Sequence, residues 1–342
     1  MLDINQRIDI KTLKQILSKF NGKKIVVLGD LMLDHYLIGH VERISPEAPV
    51  PIVDIKKQEY KLGGAANVVN NIASLKATPI VIGLIGKDDY STRLLSIFKE
   101  NGINAEYIVK DSSRSTTVKT RVFSAGQQIM RFDFEERHDI SAEIEENILQ
   151  QLDSVIPNAD AVIIEDYNKG LLTPNVISHT LALANKHNKP ITVDPKFKNF
   201  LAYKNSTVFK PNFNELQKFL NHEITNDDEM KQTAQKLLHE INPEYLVLTL
   251  GERGLKIFDK NENTHHIPTF AKEVFDVSGA GDTVISVLTL CLSAGLDIKS
   301  SAFIANHAAG AVCGMRGIHP ATVDDIVLSV KYFNMMKENN LS

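Results

Sequence analysis

Short apolar runs alternate with helical patterns over most of this chain. Continuous apolar runs bounded by polar turns are typical of strands in a sheet that is covered on both faces. Such runs occupy residues 24–28, 80–85, 161–164, 191–193, 207–209 and 246–249. Helical patterns lie between them, at residues 65–76, 91–101, 142–156, 174–187 and 227–240. The alternation predicts βαβ units around a mostly parallel sheet, whose ligands bind outside the carboxyl ends of the strands.

Two stretches, residues 36–56 and 116–135, depart from this rhythm. The first is rich in proline with strand-like flanks, and the second alternates in short β-like runs around a hairpin-type turn at 124–127. We interpret both as strands of a small accessory sheet, here called the lid, over the open side of the main sheet. Two surface loops are the alternative. The expected organisation is an N-terminal helical segment at 1–20 and one large domain at 21–337, with lid strands within 36–60 and 112–136.

Composition narrows the class of protein. The 342 residues are 43% hydrophobic and 23% charged, which argues against a disordered chain. The net charge of -4 disfavours nucleic acid or an anionic membrane as a main partner. The two cysteines, Cys291 and Cys313, are too few for a disulfide framework. Charged residues interrupt the N-terminal segment, so no secretory signal is recognisable. We expect a cytoplasmic protein.

The strongest chemical signal is the stretch at 276–283, which an apolar helical run follows at once. Gly279, Ala280 and Gly281 are small, so their backbone N–H groups can converge at the helix start and bind an anion. Asp282 then lies in the first turn beside that anion. A carboxylate there is unfavourable unless it has a task, such as taking a proton from an attacking hydroxyl. The alternative is a glycine turn with Asp282 as a helix cap.

Other candidate residues lie at predicted strand ends. Asp30 and Asp34 follow the first strand, where carboxylates could accept hydrogen bonds from sugar hydroxyls. Gly63 and Gly64 allow a ligand to approach the backbone closely, and Asn67 lies one turn into the helix that follows. The alternatives are a turn cap at Asp30, a solvated side chain at Asp34 and a plain helix-entry turn at Gly63 and Gly64.

Two further positions admit two interpretations each. Asn212 and Glu215 are three apart at a helix start, a spacing that suits either a capping box or ligand binding on one face. Lys196 follows an Asp-Pro pair at another strand end and is either a phosphate contact or a surface lysine.

Several of these motifs together resemble the ribokinase (PfkB) family of carbohydrate kinases. The Gly-Ala-Gly-Asp stretch at 279–282 resembles the family signature, and 63–67 resembles its di-glycine motif, where backbone and Asn contact the sugar. Residues 210–215 resemble its N-x-x-E motif, which organises Mg²⁺ and the nucleotide phosphates, and 249–251 resemble the turn that touches ATP. The resemblance implies these nucleotide-site residues: Asn212, Phe213, Asn214, Glu215, Lys196, Thr249 and Gly251.

The family resemblance carries further expectations. It implies a three-layer α/β/α fold with a mostly parallel sheet and a β-sheet lid, ATP and Mg²⁺ as cofactors, and room for a monovalent cation. It implies no direct protein ligand to the metal, with Glu215 acting through water. Folds of this family expose an apolar face on the lid, so a homodimer through that sheet is expected. Asp282 is then the catalytic base, and Gly279, Ala280 and Gly281 hold the transferring phosphoryl group.

A narrower resemblance concerns the substrate. Residues 29–34, 43–51 and 131–135 look like the heptose-phosphate kinases of lipopolysaccharide precursor synthesis. These phosphorylate D-glycero-D-manno-heptose 7-phosphate at the anomeric hydroxyl, and many are fused to an adenylyltransferase domain with an H-x-G-H motif. This chain has no such motif, so it resembles the stand-alone kinase. The resemblance makes Lys119 and Arg131 in the lid candidates for contacts with the 7-phosphate.

Three rival functions stay open on the sequence alone. The nearest is a kinase of the same family for another sugar, sugar phosphate or nucleoside. A non-catalytic sugar- or nucleotide-binding regulator is the second, although Asp282 would have no task in it. An NAD-dependent dehydrogenase is the third, and it is disfavoured because the glycine stretch at 279–281 lacks the third glycine of a dinucleotide fingerprint.

Overall fold

A computed structural model describes residues 8–271, 274–315 and 317–339 of the chain. The helices in this part are α1 Ile10–Ser18, α2 Ala65–Ser74, α3 Asp89–Glu100, α4 Ala142–Val155, α5 Pro174–Lys186, α6 Phe213–Leu220, α7 Asp227–Ile241, α8 Ala280–Ser293, α9 Ile298–Cys313 and α10 Val323–Asn339. The strands are β1 Lys24–Gly29, β2 Leu31–Ile44, β3 Pro51–Gly64, β4 Thr78–Ile85, β5 Ile108–Lys110, β6 Thr117–Ser124, β7 Gln127–Phe134, β8 Ala161–Glu165, β9 Ile191–Asp194, β10 Val208–Phe209, β11 Tyr245–Thr249, β12 Leu255–Asp259 and β13 Thr264–Ile267.

The main sheet has the order β13-β12-β11-β10-β9-β8-β1-β4-β5. Its strands from β11 to β5 run parallel, and only β12 and β13 are antiparallel to their neighbours. Side chains alternate between two apolar clusters, because successive residues of a strand point to opposite faces. Val27 lies in the cluster that includes residues of α2, α8 and α9, whereas Val26 lies with residues of α4, α5 and α7. The three-layer α/β/α prediction is confirmed.

All six predicted strands and all five predicted helices are present. Strands β5, β12 and β13, which are short or lie at a sheet edge, were not predicted. Helix α1 falls in the predicted N-terminal helical segment, whose first seven residues lie outside the described part of the chain. No helix of the described ranges is both long enough and apolar enough to cross a bilayer.

The lid is a separate four-stranded sheet with the order β3-β2-β6-β7. Ala125 and Gly126 have positive φ angles of 50° and 80° between β6 and β7, as a tight hairpin turn requires. The two-loop alternative is therefore wrong. Strands β2 and β3 also run past the predicted segments, to Leu31 and Gly64, so Asp34 lies inside the lid rather than at the end of β1.

Candidate active site

Four neighbouring strands of the main sheet end side by side beneath the start of α8. Gly29 pairs in register with Glu165, and Glu165 with Asp194. Lys210 follows β10 directly, and its N–H donates to the carbonyl of Val193. The side chains of Glu165, Asp194 and Lys210 point to the α8 face. A Cβ on Gly29 would lie 2.8 Å from the Cβ of Glu165, so glycine is required at this close approach.

Asp282 occupies the first turn of α8 and is buried. Its Oδ2 accepts a hydrogen bond from Asn67 Nδ2 at 2.7 Å, and its Oδ1 accepts one from the Tyr167 hydroxyl at 3.1 Å. The helix cap is Gly279, with φ of 79°, so Asp282 is not the cap. Burial raises the pKa of Asp282 to about 6, against the lowering effect of these two hydrogen bonds. The carboxylate is therefore mostly ionised at pH 7, and its pKa is close to the value that suits a general base.

The backbone around Asp282 offers donors to an anion. The N–H of Gly281 lies in the first helical turn, where no intrahelical acceptor exists. The N–H of Ala280 donates to the carbonyl of Val277 at 3.2 Å, so this donor is already engaged. A Cβ on Gly281 would lie 3.7 Å from Lys210 Nζ and 3.8 Å from a carboxylate oxygen of Asp194. The helix start thus faces an ion pair in which Lys210 and Asp194 are 2.6 Å apart.

Glu165 is the most unusual group in this region. It is fully buried, and neither of its carboxylate oxygens has a hydrogen-bond partner among the described residues. Burial raises its pKa well above the ordinary value, and the nearby charges of Asp194 and Asp282 raise it further. Carboxylates thus outnumber the lysines here, and an additional cation would offset the excess negative charge.

Asn212 and Glu215 form a complete capping box at α6. Asn212 Oδ1 accepts from the N–H of Glu215 at 2.8 Å, and Glu215 Oε2 accepts from the N–H of Asn212 at 2.9 Å. Glu215 also pairs with Lys196. Lys196 lies 5.0 Å from the centre of the Tyr167 ring and is only 23% exposed in its side chain, so it is not a surface lysine. The carboxylates of Asp194 and Glu215 hold its pKa above the ordinary value, although burial acts in the opposite direction.

The remaining predicted nucleotide-site residues lie along the same edge of the sheet. Thr249 ends β11, is half-buried and forms a parallel bridge with Asn212. Gly251 is exposed and has φ of 62° in a short turn. The ring of Phe213 lies 5.0 Å from the guanidinium of Arg253, and Asn214 is exposed. Phe213 and Asn214 are the first two residues of α6.

The lid contributes a buried ion pair to the site. Asp34 pairs with Arg121, and their side chains are 4% and 14% exposed. A Cβ on Gly63 would lie only 2.2 Å from Asp34 Oδ2, so Gly63 leaves room for this carboxylate. Gly64 has φ of 55°, a conformation that favours glycine, at the junction of β3 and α2. Burial raises the pKa of Asp34 despite the opposing charge of Arg121.

Asp30 supports the loop that follows β8. Its Oδ2 accepts from the N–H of Tyr167 at 2.8 Å and from the N–H of Lys169 at 3.1 Å. Burial raises the pKa of Asp30 to about 7, with a further contribution from the charge of Asp166. The carboxylate at this position therefore fixes the backbone of Tyr167, the residue whose hydroxyl reaches Asp282.

Lys119 and Arg131 differ in their surroundings. Both lie on the lid face that carries Asp34, because Lys119 pairs in register with Asp34 and Arg131 with Arg121. Lys119 is half-buried, its Nζ lies 5.8 Å from the centre of the Tyr167 ring, and burial lowers its pKa. Arg131 is 49% exposed and pairs with Asp133 on its own strand. Lys119 therefore lies beside the ring of Tyr167, whose hydroxyl donates to Asp282.

Five residues of this region were not among the candidates predicted from the sequence. They are Arg121, Glu165, Tyr167, Asp194 and Lys210. Four of them end a strand or follow one within two residues, so the rule that ligands bind at carboxyl ends of parallel strands could have found them. Arg121 had no such signal, because its pairing with Asp34 depends on the register between β2 and β6.

Comparisons with known proteins identify the family of this chain. Residues 22–323 match the pfkB family of carbohydrate kinases. The chain is 38% identical over 94% of its length to the bifunctional protein HldE of Trichlorobacter lovleyi and 42% identical over 89% to that of Nitratiruptor sp., and it spans 66% and 64% of these relatives. The solved structure of phosphofructokinase-2 from Escherichia coli in complex with potassium aligns with a TM-score of 0.75 at 19% identity, over 91% of this chain and 99% of the other. The chain therefore belongs to the pfkB family of carbohydrate kinases and is an ATP-dependent sugar kinase.

Proposed function

We propose that this kinase phosphorylates D-glycero-D-manno-heptose 7-phosphate at its anomeric C1 hydroxyl and yields heptose 1,7-bisphosphate. The product would serve ADP-heptose and lipopolysaccharide core synthesis, and because the donor is ATP we propose that the reaction occurs in the cytoplasm. The observation that carries the chemistry is the Asp282 carboxylate, held at a helix start by two hydrogen-bond donors. The observation that favours the heptose is the motif at residues 43–51.

In the proposed reaction Asp282 acts as the general base. It takes the proton of the anomeric hydroxyl while that oxygen forms a bond to the γ-phosphorus of ATP. The bond between the γ-phosphorus and the β–γ bridging oxygen breaks, and ADP leaves with that oxygen. The N–H of Gly281, with the positive end of the α8 dipole, stabilises the charge on the transferring phosphoryl group. Gly279 and Ala280 are proposed to bind the phosphoryl group as well. The N–H of Ala280 can do so only after its hydrogen bond to the Val277 carbonyl breaks.

Kinases of this family use ATP with a divalent metal, and the surplus of carboxylates around Glu165 and Asp194 is compatible with an added cation. No group of three or more His, Cys, Asp or Glu side chains in the described ranges could hold a metal by itself. Mg²⁺ typically keeps several waters and binds substrate phosphates, where it neutralises charge on the nucleotide. Glu215 would hold it through water, because both of its carboxylate oxygens already accept protein hydrogen bonds.

The lid would bind the sugar and its distal phosphate. Asp34, which pairs with Arg121 and for which Gly63 leaves room, is the proposed acceptor for sugar hydroxyls. Lys119 and Arg131 are the proposed partners of the 7-phosphate. The half-buried Lys119 has no carboxylate within ion-pair distance among the described residues, and a phosphate would supply the missing counter-charge.

Two features of similar proteins support finer parts of the proposal. The relatives are called bifunctional, which agrees with the heptose-phosphate kinase resemblance because many such kinases are fused to an adenylyltransferase domain. The phosphofructokinase-2 structure is a complex with potassium, and we propose that a monovalent cation also binds near the α8 start in this chain.

A homodimer through the lid is part of the proposal. Met130, Phe132 and Phe134 of strand β7 are 56%, 38% and 49% exposed, and they lie on the lid face opposite Asp34. Apolar side chains that are exposed together as one patch commonly mark an interaction surface, whereas single exposed apolar side chains do not. A second copy of the chain would cover them.

A coupled assay of ADP release over a panel of sugars tests the function. The panel contains heptose 7-phosphate, unphosphorylated heptose, ribose, fructose 1-phosphate and a nucleoside. We expect the highest kcat/KM with heptose 7-phosphate, and phosphorus NMR of the product should show a new anomeric phosphate beside the retained 7-phosphate. A clear preference for ribose or fructose 1-phosphate would overturn the substrate assignment and leave the sugar kinase activity standing.

A further inference from the structure

Tyr167 links the candidate base to both halves of the site. Its hydroxyl donates to Asp282 Oδ1 at 3.1 Å, and its ring lies 5.0 Å from Lys196 Nζ and 5.8 Å from Lys119 Nζ. Its N–H donates to Asp30 at 2.8 Å. We propose that Tyr167 is a positioning residue that keeps Asp282 ionised and aimed at the sugar hydroxyl. The inference rests on the proposed role of Asp282 as the base.

The position of the Tyr167 hydroxyl is fixed from three sides. Asp30, itself buried at the end of β1, holds the backbone of the loop through two N–H groups. Lys196 on the nucleotide side and Lys119 on the lid side contact the ring, an arrangement in which cations interact favourably with an aromatic face. A donor whose orientation is set by surrounding groups loses little entropy when it binds a carboxylate, so its effect on that carboxylate is large.

The charged groups around Asp282 explain why such a donor is needed. Asp194 on β9 opposes ionisation of Asp282, and the charge of Asp282 in turn helps to raise the pKa of the buried Glu165 on β8. Lys210, which follows β10, favours ionisation but is already paired with Asp194. From α2, Asn67 supplies the second hydrogen bond to the carboxylate. Tyr167 and Asn67 are therefore the two donors that counter burial and the neighbouring acids.

The tyrosine keeps its own proton throughout the reaction. Burial raises the pKa of Tyr167 well above its ordinary value, and the charges of Asp282 and Glu165 raise it further. The proton from the sugar hydroxyl goes to Asp282, and the hydrogen bond from Tyr167 leaves the remaining lone pair of Oδ1 to accept it.

The test compares the pH dependence of kcat/KM for Tyr167→Phe and wild-type enzyme, with heptose 7-phosphate as the varied substrate. Phenylalanine retains the ring and its packing but removes the donor. A hydrogen bond to a charged acceptor is worth roughly one pKa unit or more, so the acid limb of the profile should move up by about one unit. At pH 6 the variant should be about fivefold slower than wild type, and at pH 8.5 the two should nearly coincide.

Tyr203→Phe is the matched control. Tyr203 is also buried and also donates to a carboxylate, Asp166, at 2.6 Å, but it does not contact Asp282. Its loss should lower stability without moving the acid limb. An unchanged acid limb in Tyr167→Phe, or an equal shift in both variants, would overturn the inference.

Two measurements separate this inference from the proposed function. If Asp282→Asn is inactive and Tyr167→Phe has a wild-type profile, the positioning role fails while the base assignment stands. If heptose 7-phosphate is not a substrate, carboxyl carbon NMR of aspartate-labelled free enzyme still tests the inference. The resonance missing in Asp282→Asn identifies Asp282, and its titration should move upward in Tyr167→Phe. An unmoved titration would contradict the positioning role without reference to any substrate.

Discussion

Replacing Asp30 with Asn should change how the stability of this protein depends on pH. The Asp30 carboxyl is 4% exposed, and burial raises its pKa from the ordinary 3.8 to about 7. The folded state thus binds a proton between pH 4 and 7 that the unfolded state has released. Stability from this group is therefore complete below pH 4 and is lost as the pH rises through 7. Asn can accept the same N–H groups of Tyr167 and Lys169 and does not titrate.

The size of the effect follows from the pKa difference. A shift of about three units corresponds to roughly 4 kcal/mol at about 1.4 kcal/mol per unit, and this is an upper limit because the neighbouring Asp166 responds to the same change. The free energy of unfolding of Asp30→Asn, relative to wild type, should therefore increase by about 2–4 kcal/mol between pH 4.5 and 8.5. Any effect of the new amide group is independent of pH and cancels in this comparison.

Urea unfolding at pH 4.5 and 8.5 measures the difference, and Asp160→Asn is the control. Asp160 pairs with Lys23 at 2.8 Å and also accepts from the N–H of Lys24, and these contacts lower its pKa although partial burial opposes them. Its contribution to stability is complete above its ordinary pKa, so Asp160→Asn should differ from wild type by the same amount at both pH values. If Asp30→Asn also shows a constant difference, Asp30 is ionised in the folded protein and the reasoning is wrong.

The lid and the helix start yield three further expectations. Lys119→Ala and Arg131→Ala should each raise KM for heptose 7-phosphate about ten- to a hundredfold and leave KM for ATP unchanged. Lys57 is an exposed lid lysine that pairs with Glu59, and Lys57→Ala should change neither KM in the same steady-state assay. Gly281→Val should fold, by circular dichroism, but lose most turnover because its side chain would enter the space that the phosphoryl group needs. Gly63→Ala should raise KM for the sugar about tenfold, because the added Cβ would displace the Asp34 carboxylate. An unchanged KM would show that Asp34 does not bind the sugar.

The sequence predicted the layers of this fold well because hydrophobic periodicity and turn residues are local signals. The hairpin at Ala125 and Gly126 was visible for the same reason. The antiparallel strands β12 and β13 could not be predicted from the sequence, because neither contains a long apolar run. The extension of β2 to Leu31 was hidden because the chain passes from one sheet to the other with a single residue, Asp30, between the strands.

For the site, the sequence did not reveal which groups the candidate residues contact. Asn67 was expected at the sugar, and the structure shows its amide on Asp282. Asn212 and Glu215 form the capping box that local spacing favoured, and Glu215 also pairs with Lys196. The Asp34–Arg121 pair could not be predicted, because it depends on the register between β2 and β6. The Tyr167 contact could not be predicted either, because it depends on how the β8–α5 loop meets α8.

The most direct test of the central claim is turnover of Asp282→Asn with heptose 7-phosphate and ATP. Asparagine preserves the size of the side chain and can still bind the hydroxyl of Tyr167, but it cannot take a proton. We expect kcat to fall by roughly 10²–10⁴ while ATP affinity, measured by calorimetry, stays near that of wild type. Wild-type turnover in the purified variant would contradict the assignment of Asp282 as the base.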